Sequence, residues 1–95
     1  MAYAHRQDDQ RACGATTVVS GQSFVKIDGK LWAVENDENT HGGGGLIATK
    51  TYVKISGKSV IVQNDSANQD NLCPSAGGDH CNPKATGFSN LVDVS

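Results

Sequence analysis

Apolar and polar positions alternate along this chain in short bursts, each ended by Gly, Asn or Asp. Phe24-Val25-Lys26-Ile27 runs into Asp28-Gly29 and is followed by Leu31-Trp32-Ala33-Val34. Tyr52-Val53-Lys54-Ile55 runs into Ser56-Gly57 and is followed by Ser59-Val60-Ile61-Val62. Alternation with a period of two, rich in β-branched residues, predicts strands with one solvated face. An Asp-Gly pair between two such runs predicts a tight hairpin, because a type I′ turn needs the positive φ that glycine adopts freely. Thr16-Thr17-Val18-Val19 is a further strand candidate, whereas Glu35 to Thr40 is a loop by composition. No stretch holds the three-to-four-residue apolar period of an amphipathic helix, so the chain reads as all-β.

The two hairpins are copies of one unit. A shift of twenty-eight residues lays Phe24–Lys30 over Tyr52–Lys58 and Asn36-Asp37 over Asn64-Asp65, and it also places Asp9 on Asp37. Such self-similarity marks a repeat architecture. A shift of thirty-nine lays Tyr52-Val53-Lys54-Ile55 over Leu91-Val92-Asp93-Val94, a partial third copy. The units run over about 13–40, 41–79 and 80–95 of a single domain spanning 1–95, and they open on Cys13, His41 and His80. If they surround a pseudo-threefold axis, these three side chains converge on it.

Bulk composition narrows the function classes. Ninety-five residues, 37% hydrophobic, supply little core, and a domain of this size generally needs a disulfide, a metal or a partner as a staple. No run is long and apolar enough for a membrane span, and Met1-Ala2-Tyr3-Ala4-His5-Arg6 lacks the apolar region of a secretory signal, which predicts synthesis in a cytoplasm. Eight scattered Lys and Arg against ten Asp and Glu do not form the basic patch that nucleic-acid binding needs. The three cysteines are an odd count that favours metal ligation over bridging in a reducing compartment.

Thiolate and imidazole donors together suit zinc in a closed tetrahedral site, with iron as the alternative metal. Cys13, His41, Cys73 and His80 are the candidate ligands. Cys81 is the alternative fourth ligand, although neighbours in an extended segment point opposite ways, so that one of His80 and Cys81 faces off the axis. A Cys73–Cys81 disulfide is the competing arrangement in an oxidising medium. His5 falls on Ala33 and Ile61 in the repeat, within a strand and away from the convergence point. The long irregular stretch from Ser66 to Asp79 needs a pin, and Cys73 is the obvious one. The Gly42–Gly45 run supplies turns of unusual φ and lets backbone crowd where no Cβ fits.

His41-Gly42-Gly43-Gly44 also matches the oxyanion loop of esterases, but a Gly-x-Ser-x-Gly elbow is missing and an α/β-hydrolase sheet does not fit this length. A metallohydrolase would need an open coordination position with Asp70 or Asp79 as base, and four protein ligands close that position.

Repeated Val-x-Ile-x-Gly-Lys hairpins, Asn-Asp closures, His-Gly openings and the final Asn82-Pro83-Lys84-Ala85-Thr86-Gly87-Phe88-Ser89-Asn90 resemble the PAAR-repeat proteins across nearly the whole chain. These sharpen the spike of type VI secretion systems and contractile phage tails. The resemblance implies a small cone of β-hairpins with pseudo-threefold repeats and zinc at the vertex, held by Cys13, His41, Cys73 and His80. It implies a structural, non-enzymatic monomer whose base caps a trimeric β-helical spike, one tip per trimer, assembled into a tail or secretion apparatus and contacting the target membrane in passing. Family sites are often three His and one Cys, and Cys13 departs from that pattern. Trp32, Leu31 and Val60 are candidate core or base residues. The competing expectation is a stand-alone zinc-binding interaction domain.

Overall fold

A computed structural model describes residues 2–94; Met1 and Ser95, the outermost positions of the domain expected over 1–95, lie outside the described residues. The chain is mostly short strands in two-stranded antiparallel sheets, with little helix. Strands β1 (Tyr3–Ala4), β2 (Thr17–Val18), β3 (Lys26–Ile27), β4 (Lys30–Leu31), β5 (Glu38–Asn39), β6 (Lys54–Ile55), β7 (Lys58–Ser59) and β8 (Ser89–Asp93) pair as β1 with β8, β2 with β5, β3 with β4 and β6 with β7.

Both expected hairpins form, and their turns explain their sequences. Asp28 and Gly29 take φ of 53° and 80°, and Ser56 and Gly57 take 53° and 81°, the double positive φ of a type I′ turn. Lys26 pairs with Leu31 and Lys54 with Ser59, the same register twice. The first and last described strands pair in a comparable way. Tyr3 pairs with Asp93, and these two positions are Leu31 moved back by twenty-eight and Lys54 moved forward by thirty-nine.

Strands this short are not stable alone, and the repeats hold one another. The amide of His5 donates to the carbonyl of Ile61 (3.1 Å), that of Ile61 to Ala33 (2.9 Å), and that of Ala33 back to His5 (2.9 Å), a closed circuit through three residues spaced by twenty-eight. A parallel set links Gln7 to Leu31 (2.8 Å), Glu35 to Ser59 (2.8 Å) and Gln63 to Tyr3 (2.7 Å).

Three turns spaced by twenty-eight residues each rest on a buried aspartate. Asp9, Asp37 and Asp65 accept the backbone amide three residues back, from Arg6 (2.9 Å), Val34 (2.9 Å) and Val62 (3.0 Å). Each returns its own amide to the carbonyl of that same residue. The residue before each aspartate, Asp8, Asn36 or Asn64, has φ of 68°, 72° or 73°, the left-handed region that Asn and Asp tolerate best among side-chain-bearing residues. The recurrent Asn-Asp pair is thus a turn whose first residue supplies the φ and whose second ties the amides.

Two apolar clusters fill the interior. One contains Ala4, Ile27, Trp32, Val34, Ile55, Val60 and Val62; the other contains Val19, Ala33, Leu46, Ile61, Ala67 and Ala85. Trp32 and Val60 are core residues, and Leu31 is half-buried beside the second cluster. Trp32 donates its indole N–H to the Ile61 carbonyl at 2.9 Å, so its one polar atom is satisfied inside.

Three local expectations change. Glu38–Asn39 is a strand, because Thr17 pairs with Asn39 and Val18 with Glu38 at long sequence range, a contact that composition does not reveal. Of the alternating Phe24-Val25-Lys26-Ile27 only Ile27 is buried, since the hairpins project from the core. The stretch from Asp65 to His80 contains one turn of α-helix, α1 (Cys73–Ala76), with Pro74 in its first turn, followed by a 3-10 turn at Gly78–Cys81. Proline's fixed φ suits a first helical turn, and Gly77 at φ 65° ends it.

His5, a member of the circuit, is fully buried. Its Nδ1 lies 2.6 Å from the Gly87 carbonyl and its Nε2 2.6 Å from Thr17 Oγ1. Arg11 Nε donates to that same hydroxyl, which therefore donates to Nε2 of a neutral ring. Burial lowers the His5 pKa from 6.5 to about 4, with the Gly87 contact opposing. Protonation therefore favours the unfolded chain, and the stability present above pH 6.5 is lost as pH falls toward 4. The loss amounts to about 3 kcal/mol at 1.36 kcal/mol per pH unit. Urea unfolding of wild type and His5→Gln across this window checks it: the acid slope should be smaller in the variant.

Candidate metal centre

Two equivalent turns present the first two donors. The Gly14 amide bonds the Arg11 carbonyl (3.1 Å) around Cys13, and the Gly42 amide bonds the Asn39 carbonyl (3.0 Å) around His41. These are the same turn twenty-eight residues apart, with Gly14 and Gly42 at φ of 90° and 85°. The other two donors, Asp70 and His80, come from the long stretch that follows Asp65. Asp70 is bridged to Gly43 and gives its amide to the His80 carbonyl at 2.8 Å, so the two ends of the longest loop meet beside the other turns.

The side chains converge on Asp70. Its Oδ2 lies 3.2 Å from His80 Nδ1, 3.3 Å from His41 Nδ1 and 3.5 Å from the Cys13 sulfur, while Cys13 Sγ is 3.8 Å from His41 Nδ1. One donor atom from each of Cys13, His41, Asp70 and His80 lies within 4.8 Å of every other. Four N, O and S donors about 2.0–2.3 Å from one cation sit roughly 3.3–3.6 Å apart in a tetrahedron. The spacing and donor types therefore fit a bound metal ion, and a thiolate with a carboxylate carries the two negative charges that a divalent cation balances.

Asp70 is buried and fully partnered. Its Oδ1 accepts the Leu72 amide (2.9 Å), and its Oδ2 accepts Asn39 Nδ2 (3.2 Å). Burial alone would raise its pKa, but the contacts from His80, the Leu72 amide, Asn39 and His41 outweigh it and hold the carboxyl well below the usual range. Burial pushes the Cys13 thiol up, and the neighbouring Asp70 charge pushes it further, against a backbone contact at Ala15 that lowers it. A cation must displace that proton, which makes binding pH-dependent.

A second layer orients these donors, as it does in metal sites generally. Asn39 also lies 3.9 Å from the Cys13 sulfur, and its Oδ1 accepts the His41 amide at 2.9 Å. Gly42, Gly43 and Gly44 all have positive φ, and a Cβ on Gly44 would come within 2.6 Å of Asn39 Nδ2 and one on Gly42 within 2.4 Å of Asn71 Nδ2, so a side chain there would also displace these amides. Beneath them lies buried Arg11, whose Nη1 donates to the carbonyls of Gly44 (2.9 Å) and Pro83 (3.0 Å) and whose Nη2 donates to that of Asp37 (3.1 Å). Burial lowers its pKa to about 10, which leaves it charged at neutral pH.

Cys13, His41 and His80 are thus brought together, and His5 and Asp79 lie outside the cluster. The expected fourth ligand, Cys73, and its alternative, Cys81, do not join it: their sulfurs are bonded to each other. The reason is local. Cys73 begins the helical turn just after Asp70, its amide bonded to the Asp70 carbonyl (3.1 Å), and Cys81 ends the 3-10 turn that carries His80 inward. Continuing the shift of twenty-eight from Cys13 and His41 reaches Gln69, one residue short of Asp70, and that near-register was the available signal. Arg11 carried no comparable mark.

No family model matches the chain, and no curated protein or solved structure matches it.

Elemental analysis should find about one divalent metal per chain, lost in Asp70→Ala and in Cys13→Ser. A metal held by Cys13, His41, Asp70 and His80 would tie three loops together, so His41→Ala should lower the thermal midpoint several-fold more than Lys58→Ala on the hairpin. Equal midpoints would contradict the role given to the cluster.

Proposed function

We propose that this chain is a spike tip of the PAAR-repeat kind, a structural cone that caps and sharpens a trimeric β-helical spike in a phage tail or type VI secretion apparatus. The observation that carries the proposal is the closed circuit of backbone hydrogen bonds through His5, Ala33 and Ile61. One chain whose three units are cyclically linked can meet the end of a trimer with three similar surfaces. Extents of 35 × 24 × 23 Å, one long axis and two nearly equal short ones, agree with an axial shape.

The hairpins supply a suitable contact. Phe24, Tyr52 and Leu91, equivalent under the shifts of twenty-eight and thirty-nine, are 77%, 65% and 67% exposed. Large apolar side chains this open are more informative as a repeated set than singly. In each complete unit the chain runs from the hairpin turn, through the core strand and the aspartate turn, to the metal loop, so hairpins and metal occupy opposite ends of its path. On this reading zinc stiffens the narrow end, where few side chains can pack, and the hairpin end faces the spike. The protein is then made in the bacterial cytoplasm, acts without catalysis and meets the target membrane in passing.

The metal cluster by itself favours a second reading, a stand-alone metal-stabilised interaction domain. Mixing with a trimeric β-helical spike end separates them. The tip reading expects one chain per trimer at micromolar concentration, weakened at least tenfold by Phe24→Ser with Tyr52→Ser. Absence of such a complex would favour the second reading.

A further inference from the structure

The loop that carries both Asp70 and His80 has no apolar anchor. Neither α1 nor the 3-10 turn contains a buried residue. Apart from Asp70 itself, every residue from Asn71 to Cys81 is exposed or half-buried. Its internal ties are turn hydrogen bonds, from the Cys73 amide to Asp70 (3.1 Å), the Gly77 amide to Cys73 (2.9 Å) and the Asp70 amide to His80 (2.8 Å). The one covalent tie is the Cys73–Cys81 disulfide, which begins three residues after one donor and ends on the residue after the other.

We infer that the Cys73–Cys81 disulfide is a redox-controlled clamp on the metal centre, holding Asp70 and His80 in ligating position when oxidised and loosening them when reduced. The inference rests on the reading of Cys13, His41, Asp70 and His80 as a divalent-metal site. Cys81 is exposed and Cys73 half-buried, so a small thiol reductant can reach the bond. A cellular dithiol would break the S–S bond by supplying two electrons and two protons, leaving two thiols on the protein and becoming a disulfide itself. Asp70 then keeps its buried contacts with Asn39 and Gly43, while the segment from Leu72 to His80 keeps only turn hydrogen bonds, with no buried side chain to hold it. Loop-closure entropy for a tie of this span corresponds to tenfold to about a hundredfold in the equilibrium it constrains.

The test is zinc affinity by competition with a chromophoric chelator, for three forms of the full chain. These are oxidised wild type, wild type reduced by a phosphine that does not bind zinc, and the Cys73→Ser/Cys81→Ser double variant. Thiol counting verifies the states, with Cys13 the single free thiol of the oxidised form. Oxidised wild type should bind at least fivefold more tightly than both other forms, and reoxidation should restore the affinity of the reduced sample. A smaller difference overturns the clamp. Tighter binding by the reduced form also overturns it, because the freed thiols would then be ligands. Absence of zinc binding by oxidised wild type would instead remove the metal reading on which the clamp depends.

Discussion

Everything in this molecule depends on backbone hydrogen bonds that pass from one repeat to the next and return to the first. Most strands are two residues long, and a two-residue strand cannot persist in water by its own pairing. The circuit through His5, Ile61 and Ala33 fixes three segments against each other, and the buried Trp32, Val34, Val60 and Val62 can then pack without a conventional sheet. The aspartate turns are the second condition. Each buries a carboxylate, which is tolerable because backbone amides, Arg6 or the Thr49 hydroxyl satisfy its oxygens. Among the described residues no buried side-chain nitrogen or oxygen lacks a partner.

The repeat is a backbone rule, and its side chains depart from it where chemistry enters. Position 5 of the ring is histidine where its counterparts are Ala33 and Ile61, and that histidine reaches Thr17 and Gly87. Arg11 and Asn39 are counterparts as well. Arg11 turns inward to collect carbonyls from the second and third units, while Asn39 turns toward Asp70 and the Cys13 sulfur. Equivalent positions thus place a buried cation beneath the candidate metal centre and a neutral amide beside its donors. Asymmetry at equivalent positions is what builds a specific site on a repetitive frame.

The sequence made some of this legible and hid the rest for physical reasons. Turns announce themselves locally, so Asp28-Gly29, Ser56-Gly57 and the Asn-Asp closures could be read from residue type and spacing. Cys13 and His41 were readable because the repeat put them in one place, and His80 because the final strand set a second shift. Asp70 was not read as a ligand because the third loop is longer than the others and breaks the register just before it. A cysteine also outranks an aspartate as an expected zinc donor when geometry is unknown. Strand Glu38–Asn39 and the role of Arg11 depend on contacts between segments distant in the chain, which composition does not record.

The pairing of Tyr3–Ala4 with Ser89–Asp93 has a consequence for the order of events during synthesis. Strand Tyr3–Ala4 is made close to ninety residues before its partner, so this pairing cannot form until the stretch through Asp93 has emerged. The entropy of bringing such distant ends together rises only slowly with separation, but pairings of long sequence range are slow to form. Until they form, Tyr3–Ala4 is an unsatisfied edge that can pair with the last strand of another nascent copy as well as with its own. Two copies that exchange these strands would make the same hydrogen bonds as one, so concentration during folding, rather than the native contacts, decides between a closed monomer and an exchanged dimer.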